Sequence, residues 1–310
     1  MSTGLQVRVF GRVAVLRDDE PLPILSKALE LLCYLVLHRD RAHARETLAG
    51  LLWPDAPPPQ ARKYLRQSLW QLQTTLVGRG GLGGVPLLDV SPGRVRVHPE
   101  ASWWCDVVVV ERAHRRCRDV PTGALSDPDI AALEQAAALC HDDLLDSWSQ
   151  DWCARERDRL QLVHLDLLDR LTEHAVCRGL LGRGLAYGQR LLRLDPAREV
   201  THRRLMRLYA DCGDRTGALR QYGRCVQALA QEFDLAPAAE TVELYRRIRA
   251  GTVPAAAAGP SPGPPPVPGP LDERLDRIAD AVAALRTDVG LLLALHRRDP
   301  ADRREAWETG

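Results

Sequence analysis

No apolar run in this 310-residue chain approaches the ~18–20 residues that a membrane span needs, and its start lacks a signal-peptide pattern. A cytoplasmic protein with no membrane partner is expected. None of the eight cysteines lies in a C-x-x-C pair, so they read as small buried hydrophobes and not as disulfides or a zinc site. Lysine is scarce: only Lys27 and Lys63 among 42 basic residues. The arginine bias pervades the chain and reads as that of a GC-rich genome. Also absent are G-x-x-x-x-G-K-[ST], G-x-S-x-G and H-E-x-x-H. What is present is ordinary. Apolar residues make 45% of the chain and charged ones 27%, with a net charge of +1. That excludes wholesale disorder and leaves room for about two packed domains.

The first hundred residues change period twice. Residues 5–16 (LQVRVFGRVAVL) alternate, with Leu5, Val7 and Val9 on one side and Gln6 and Arg8 on the other, as half-buried strands do. Arg17–Pro21 supplies a turn. A helix follows with Ser26 as its N-cap and Leu29, Leu32, Cys33, Val36 and Leu37 as its apolar stripe. A second helix spans about 44–53, stopped by Pro54 and the prolines at 57–59. A third spans about 60–77 and ends at a glycine-rich stretch, 78–84. After it, two short β runs flank Ser91-Pro92-Gly93, a ribbon with a tight turn. Strands, three helices and a hairpin are the anatomy of a winged helix-turn-helix, here over residues 1–103.

On a wheel of the third helix, Ala61, Leu65, Ser68, Leu69, Leu72 and Leu76 share the core face. The opposite face holds Lys63, Arg66, Gln67, Trp70, Gln71 and Thr74, with Arg62 on its shoulder. From 60 to 79 there are four basic residues and no acidic one. That local excess is what attraction to phosphate requires, and Arg and Gln are side chains that bond base edges in a major groove. A solvated helix face is the bland alternative; Trp70 argues against it, unless it packs beneath the ribbon. In the ribbon, Arg94 and Arg96 alternate with Val95 and Val97 and place two guanidiniums on one edge.

From about 104 to 251 the pattern is helical throughout. Tyr209, Gly213, Ala218 and Tyr222 stand at the offsets of a tetratricopeptide repeat, with the closing proline displaced to Pro237. Generic helical hairpins remain the alternative. Residues 252–270 contain eight prolines, three glycines and no charge, which makes a linker. Beyond it, Leu271, Leu275, Ile278, Val282, Leu285, Val289 and Leu292 form a heptad seam within 271–298. Such a seam fits a homo-oligomer, or a helix docked on its own chain.

Enzyme readings are weak. The string G-x-G-x-x-G at 78–83 follows a helix and precedes a strand, the reverse of a dinucleotide site. Asp142, Asp143 and Asp146 on a helix start are expected to be solvated. His38 and His43 flank a turn beside Asp40 without a third metal ligand. No catalytic residue, cofactor or metal is expected.

Leu51-Leu52-Trp53-Pro54-Asp55, then Gln60-Ala61-Arg62, Leu65-Arg66-Gln67-Ser68-Leu69 and Leu72, resemble the SARP-type regulators, the streptomycete antibiotic regulatory proteins and their relatives. The opening LQVRVFGRVAV, the ribbon, Trp104–Ala113, Leu194-Asp195-Pro196 and Tyr209–Tyr222 are similar to that family too, so the resemblance covers about residues 5–250. It implies an α+β winged helix-turn-helix like that of response-regulator output domains. An all-α, tetratricopeptide-like bacterial transcriptional activator domain would follow, and a C-terminal heptad helix would close the chain. It further implies a cytoplasmic, nucleoid-associated transcription regulator that is no enzyme. Such a protein binds double-stranded promoter DNA, often as tandem protomers on direct repeats, and contacts RNA polymerase holoenzyme. Arg62, Lys63, Arg66, Gln67, Trp70, Gln71, Thr74, Arg94 and Arg96 would then face DNA. Two departures stand out. Gln73 follows Leu72 where many relatives place arginine, and the ATPase module of large members is missing. A helical-repeat adaptor whose winged helix binds protein is the rival reading.

Overall fold

The computed structural model describes residues 4–77 and 85–252; the G-x-G-x-x-G string, the proline-rich stretch beyond Thr252 and the heptad segment 271–298 lie outside them. Two antiparallel strands, β1 (Leu5–Arg8) and β2 (Ala14–Arg17), open the chain, with a short β3 (Glu20–Pro21) beside β2. The β2–β3 loop is Asp18-Asp19, both at positive φ (51° and 67°). Aspartate tolerates that region, and both positions must adopt it in a two-residue hairpin of the type I′ kind. Leu5, Val7 and Val9 are buried as the alternation predicts, but Gln6 is not on a solvated face: it is buried too. Its amide donates to Asp19 Oδ1 and accepts from Arg8 Nη2, both at 3.3 Å, so its polar atoms are satisfied inside.

Helix α1 (Ser26–Leu37) begins with Ser26 inside it; the cap position belongs to Leu25, and no side chain caps the helix. The expected narrow stripe is also too small. Every residue from Leu31 to Leu37 is buried, whereas Leu29 is only partly so. The reason is position: α1 packs on α2 (Arg45–Leu52), on α3 (Pro58–Val77) and on the ribbon, and its Tyr34 meets Trp152 of the helical region edge-on at 5.4 Å. A helix covered on all sides reads as continuously apolar.

Helix α3 starts two residues earlier than its apolar period indicates, because Pro58 and Pro59 occupy the first turn, where a missing N–H is harmless. The Pro57 carbonyl accepts the amides of Gln60 and Ala61. All six expected core residues of α3 are buried. At its far end the Arg17 guanidinium caps the Leu76 carbonyl. The ribbon is β5 (Leu88–Val90) against β6 (Arg94–Val97), and β4 (His43–Ala44) pairs with β6 as a third strand.

The helical region does not begin at 104. Residues Trp103–Cys105 form β7, which lies parallel to β1 with Leu5 opposite Trp103 and Val7 opposite Cys105. The boundary expected between 103 and 104 thus falls inside a strand of the N-terminal sheet, whose order is β3-β2-β1-β7. Asp106 then opens α4 (Asp106–Cys117) and accepts the Val9 and Phe10 amides at 2.8 and 3.0 Å. Helices α5 (Asp127–Leu139), α6 (Asp151–Cys177), α7 (Leu181–Leu194), α8 (Glu199–Asp211), α9 (Arg215–Phe233) and α10 (Ala239–Ala250) follow.

Successive helices pack as pairs, α6 with α7 and α8 with α9, which is the tetratricopeptide-like arrangement. At the expected repeat positions, Gly213 makes the turn at φ 77°, Ala218 is fully buried against Met206, Leu244 and Ile248, and Tyr222 stacks on Tyr245. Helix α9 runs to Phe233, longer than a standard repeat helix, as the displaced proline indicates. Gly188 lets α7 approach α8: a Cβ there would stand 2.6 Å from Leu205 Cδ2.

Two placements differ here. Asp142, Asp143 and Asp146 are exposed as expected but lie in irregular chain between α5 and α6, not on a helix start, and the Asp143 carbonyl accepts the Gly11 amide. Six cysteines are buried, but Cys177 and Cys212 are exposed at helix ends. No metal-binding cluster of His, Cys, Asp or Glu occurs among the described residues, and none of their helices is long and apolar enough to cross a membrane.

An ion-pair group joins the two regions. Glu111 of α4 accepts from Arg39, just past α1, and from Arg159 of α6, with Arg159 also on Glu156. Burial alone would raise the Glu111 carboxyl; the two guanidiniums overcome that and hold it below its ordinary value. Stability from this group is therefore complete above the ordinary carboxylate pKa and is lost as pH falls through the depressed one. Glu111→Gln should lower stability by about 1–3 kcal/mol at neutral pH. The gap to wild type should close in acid. Thermal unfolding across pH checks this; a gap independent of pH would contradict it.

Candidate nucleic-acid interface

Helix α3 presents Arg62, Lys63, Arg66, Gln67, Trp70 and Thr74 to solvent, while Gln71 is half-buried. Core leucines fix this polarity, since Leu65, Leu69, Leu72 and Leu76 must all point inward. Trp70 is 67% exposed and so does not pack beneath the ribbon. Thr74 Oγ1 donates back to the Trp70 carbonyl at 2.9 Å. Gln71 shares a small cleft with Leu25, Trp53, Tyr64, Gln67 and Ser68, which draws it toward the α1 side. Under the helix start, Trp53 lies 6.0 Å from Tyr64, whose hydroxyl accepts from Gln60 Nε2.

Most guanidiniums elsewhere in the fold are tied to carboxylates or helix-end carbonyls. Among the described residues, no carboxylate lies within 4 Å of Arg62, Lys63, Arg66 or Arg94. None of the four is held in an ion pair. Arg96 differs. It sits opposite Asp89 in the ribbon, and its Nε meets Asp89 Oδ2 at 2.9 Å. The two wing arginines, equal in the sequence pattern, are thus unequal in charge available to a ligand.

The structure adds Arg45. It begins α2 directly after β4, its amide donates to the Gly93 carbonyl at 3.1 Å, and its side chain reaches the Ser91 carbonyl. A cleft of about 390 Å³ is lined by Arg45, Arg62 and Arg66 together with Glu46, Pro59 and Pro92, so helix and wing tip form one continuous basic surface. A two-residue strand has no readable period, and so the pairing that brings Arg45 to the wing leaves no trace in the sequence.

A family model, the bacterial transcriptional activator domain, matches residues 105–249, just under half of the chain. No curated protein matches by sequence. Among solved structures, Mycobacterium tuberculosis EmbR, in complex with a low-affinity phosphopeptide, superposes with a TM-score of 0.67 at 20% identity. That match takes in 81% of this chain and 66% of the other, so this chain spans just under two thirds of that protein's length. At such identity the likeness concerns the fold. The activator-domain match begins at the last residue of β7 and ends within α10, over the same helices whose repeat positions pack as described. Residues 105–249 thus match a bacterial transcriptional activator domain, and the fold as a whole is like that of the mycobacterial protein.

Proposed function

We propose that this protein is a sequence-specific, double-stranded DNA-binding activator. In this reading α3 enters a major groove and the β5–β6 wing meets the flanking backbone. The observation that carries it is the outer face of α3: three cations without carboxylate partners beside an exposed glutamine and tryptophan, two of them, Arg62 and Arg66, lining one cleft with Arg45. Lys63, Arg66, Arg45 and Arg94 hold phosphates, while Gln67 reads a base edge, with Gln71 and Lys63 beside it. Arg62, Thr74 and Trp70 border the contact. The helical activator domain docks RNA polymerase holoenzyme, as the family does, and the protein works in the cytoplasm on the nucleoid. Residues 1–103 act as the DNA-binding unit and 104–251 as the activator unit, with 252–270 as tether.

Changing Lys63 and Arg66 together to alanine should weaken binding to all sequences and flatten the salt dependence by two contacts, about 0.9 in slope for each. Gln67→Ala should instead relax preference at particular base pairs, costing about 1–3 kcal/mol there. Gel shifts at several salt concentrations check both. Unchanged binding by folded variants would favour the protein-binding adaptor reading.

The wing separates into a strong and a weak contact. Arg94→Ala should lower affinity with little change in preferred sequence, and Arg96→Ala should cost less, because Asp89 already offsets that charge. An Arg96 effect larger than the Arg94 effect in the same titration would refute this ranking.

The heptad segment 271–298 serves as a self-association helix, most simply a parallel pair. The uncharged tether lets that pair coexist with head-to-tail protomers on direct repeats. Deleting 271–310 should lower the mass seen by light scattering and weaken binding to a double site far more than to a single one. No change in either would mean that the segment does not join protomers.

A further inference from the structure

A cleft of about 450 Å³ opens between α7, the start of α8 and α9. Its size falls in the range of ligand sites. His202 and Gln221 line it, yet they are only 2% and 1% exposed, a polar pair set into the packed helices. Their bonds fix which atoms donate. The Pro196 carbonyl can only accept, so His202 Nε2, 2.8 Å away, carries a hydrogen. Burial holds this imidazole below its ordinary pKa, so it is neutral at pH 7 and its Nδ1 is an acceptor. Gln221 Nε2, 2.8 Å from Nδ1, must therefore donate.

That orientation leaves the Gln221 amide oxygen with no donor among the described residues. The oxygen is not sealed either. The described side-chain atoms that are both sealed and unpartnered are Trp152 Nε1, His164 Nε2, Arg198 Nε and Thr201 Oγ1. The little surface that Gln221 keeps is thus at this oxygen, and the side chain lines the cleft.

Above that floor the charge has one sign. Arg193 of α7 and Arg224 of α9 are exposed lining residues without a carboxylate partner among the described residues, and no carboxylate lines the cleft. Glu199, whose charge reaches His202, is engaged by Arg203 at 3.6 Å and by the Ala238 amide at 2.7 Å. Two guanidiniums call for carboxylates, and the buried amide oxygen calls for an N–H. A simple carboxylate anion meets only the first demand; an acidic peptide meets both.

We infer that this cleft binds an acidic stretch of polypeptide: Asp or Glu side chains pair with Arg193 and Arg224, and a backbone N–H donates to Gln221 Oε1. The site uses none of the cations of α3 or the wing, so its failure is distinct from a failure to bind DNA.

Acetyl-Glu-Asp-Glu-amide is a suitable probe. Acetyl-Gln-Asn-Gln-amide is its neutral analogue, and tricarballylate has the carboxylates without any N–H. Binding is followed on the ¹⁵N-labelled full chain through the side-chain amide signal of Gln221, assigned from its own backbone. The acidic peptide should shift that signal saturably, with a Kd below about 1 mM and about tenfold tighter than either analogue. Arg193→Gln and Arg224→Gln, both at exposed positions, should each weaken it about tenfold. The protein with Lys63 and Arg66 both changed to alanine should bind it as wild type does. Equal binding by either analogue overturns the assignment to an acidic peptide. Absence of a saturable Gln221 shift in folded wild type overturns the site, as does binding that depends on Lys63 and Arg66 and not on Arg193 and Arg224.

Discussion

The buried carboxylate of Asp106 fixes the geometry on which the rest of the molecule depends. One of its oxygens takes the amides of Val9 and Phe10; the other takes the Val107 amide at 2.8 Å and the Cys105 thiol at 3.4 Å. Burial pushes this carboxyl upward, and the amide donors pull it back without wholly cancelling the shift. The two bonded segments are almost a hundred residues apart in sequence, so a single side chain closes the loop that contains the N-terminal α/β region. Around it the Leu145 amide reaches the Val9 carbonyl, and Phe10 bridges Leu144. The edge of β1 is therefore sutured on one side to β7 and at its end to the activator domain.

That suture explains why α1 is buried on every face. A helix in an isolated winged helix would show water one side, and the stripe Leu29–Leu37 would suffice. Here the side facing away from α3 is covered by α6, through Tyr34 against Trp152 and through the Arg39–Glu111–Arg159 group. The orientation of α3 is then set relative to the helical repeats by packed side chains rather than by a flexible hinge. Contacts of the activator domain and contacts of α3 are parts of one body within the described residues.

The features legible in the sequence are those with a long period. Twenty residues of α3 alternate core and surface five times, so its buried leucines and its basic face follow from spacing alone. The activator helices follow in the same way, and Gly213 and Ala218 fall where a turn and a close helix contact need small residues. Short or non-local features leave no such pattern. The His43–Ala44 strand is two residues long; Gln6 becomes buried only because Asp19 and Arg8 satisfy its amide; and β7 is a strand because β1 is waiting for it. The Asp142–Asp146 stretch has helical spacing but is bonded to the chain just after β1, Gly11 to Asp143 and Leu145 to Val9, and is irregular. Tertiary partners override local pattern at each of these places.

A net charge of +1 tells little about a chain in which arginine is largely structural. Arg157 donates to the carbonyls of Leu144 and Leu145 at 2.7 and 2.6 Å, Arg190 to those of Ala137 and Cys140, and Arg170 to Val120 while it pairs with Asp166. These guanidiniums satisfy helix ends and loop carbonyls in the helical region, a task suited to a planar group with five donors. Their charge is spread over backbone dipoles and is not presented outward. The cations of α3 and the wing tip stand against that background. Lys63, one of only two lysines, joins Arg62, Arg66 and Arg94 in having no carboxylate within 4 Å among the described residues, although acidic residues are nearly as numerous as basic ones overall. Pairing and capping of these guanidiniums leaves the cations of α3 and the wing tip among those with no carboxylate partner in the described residues.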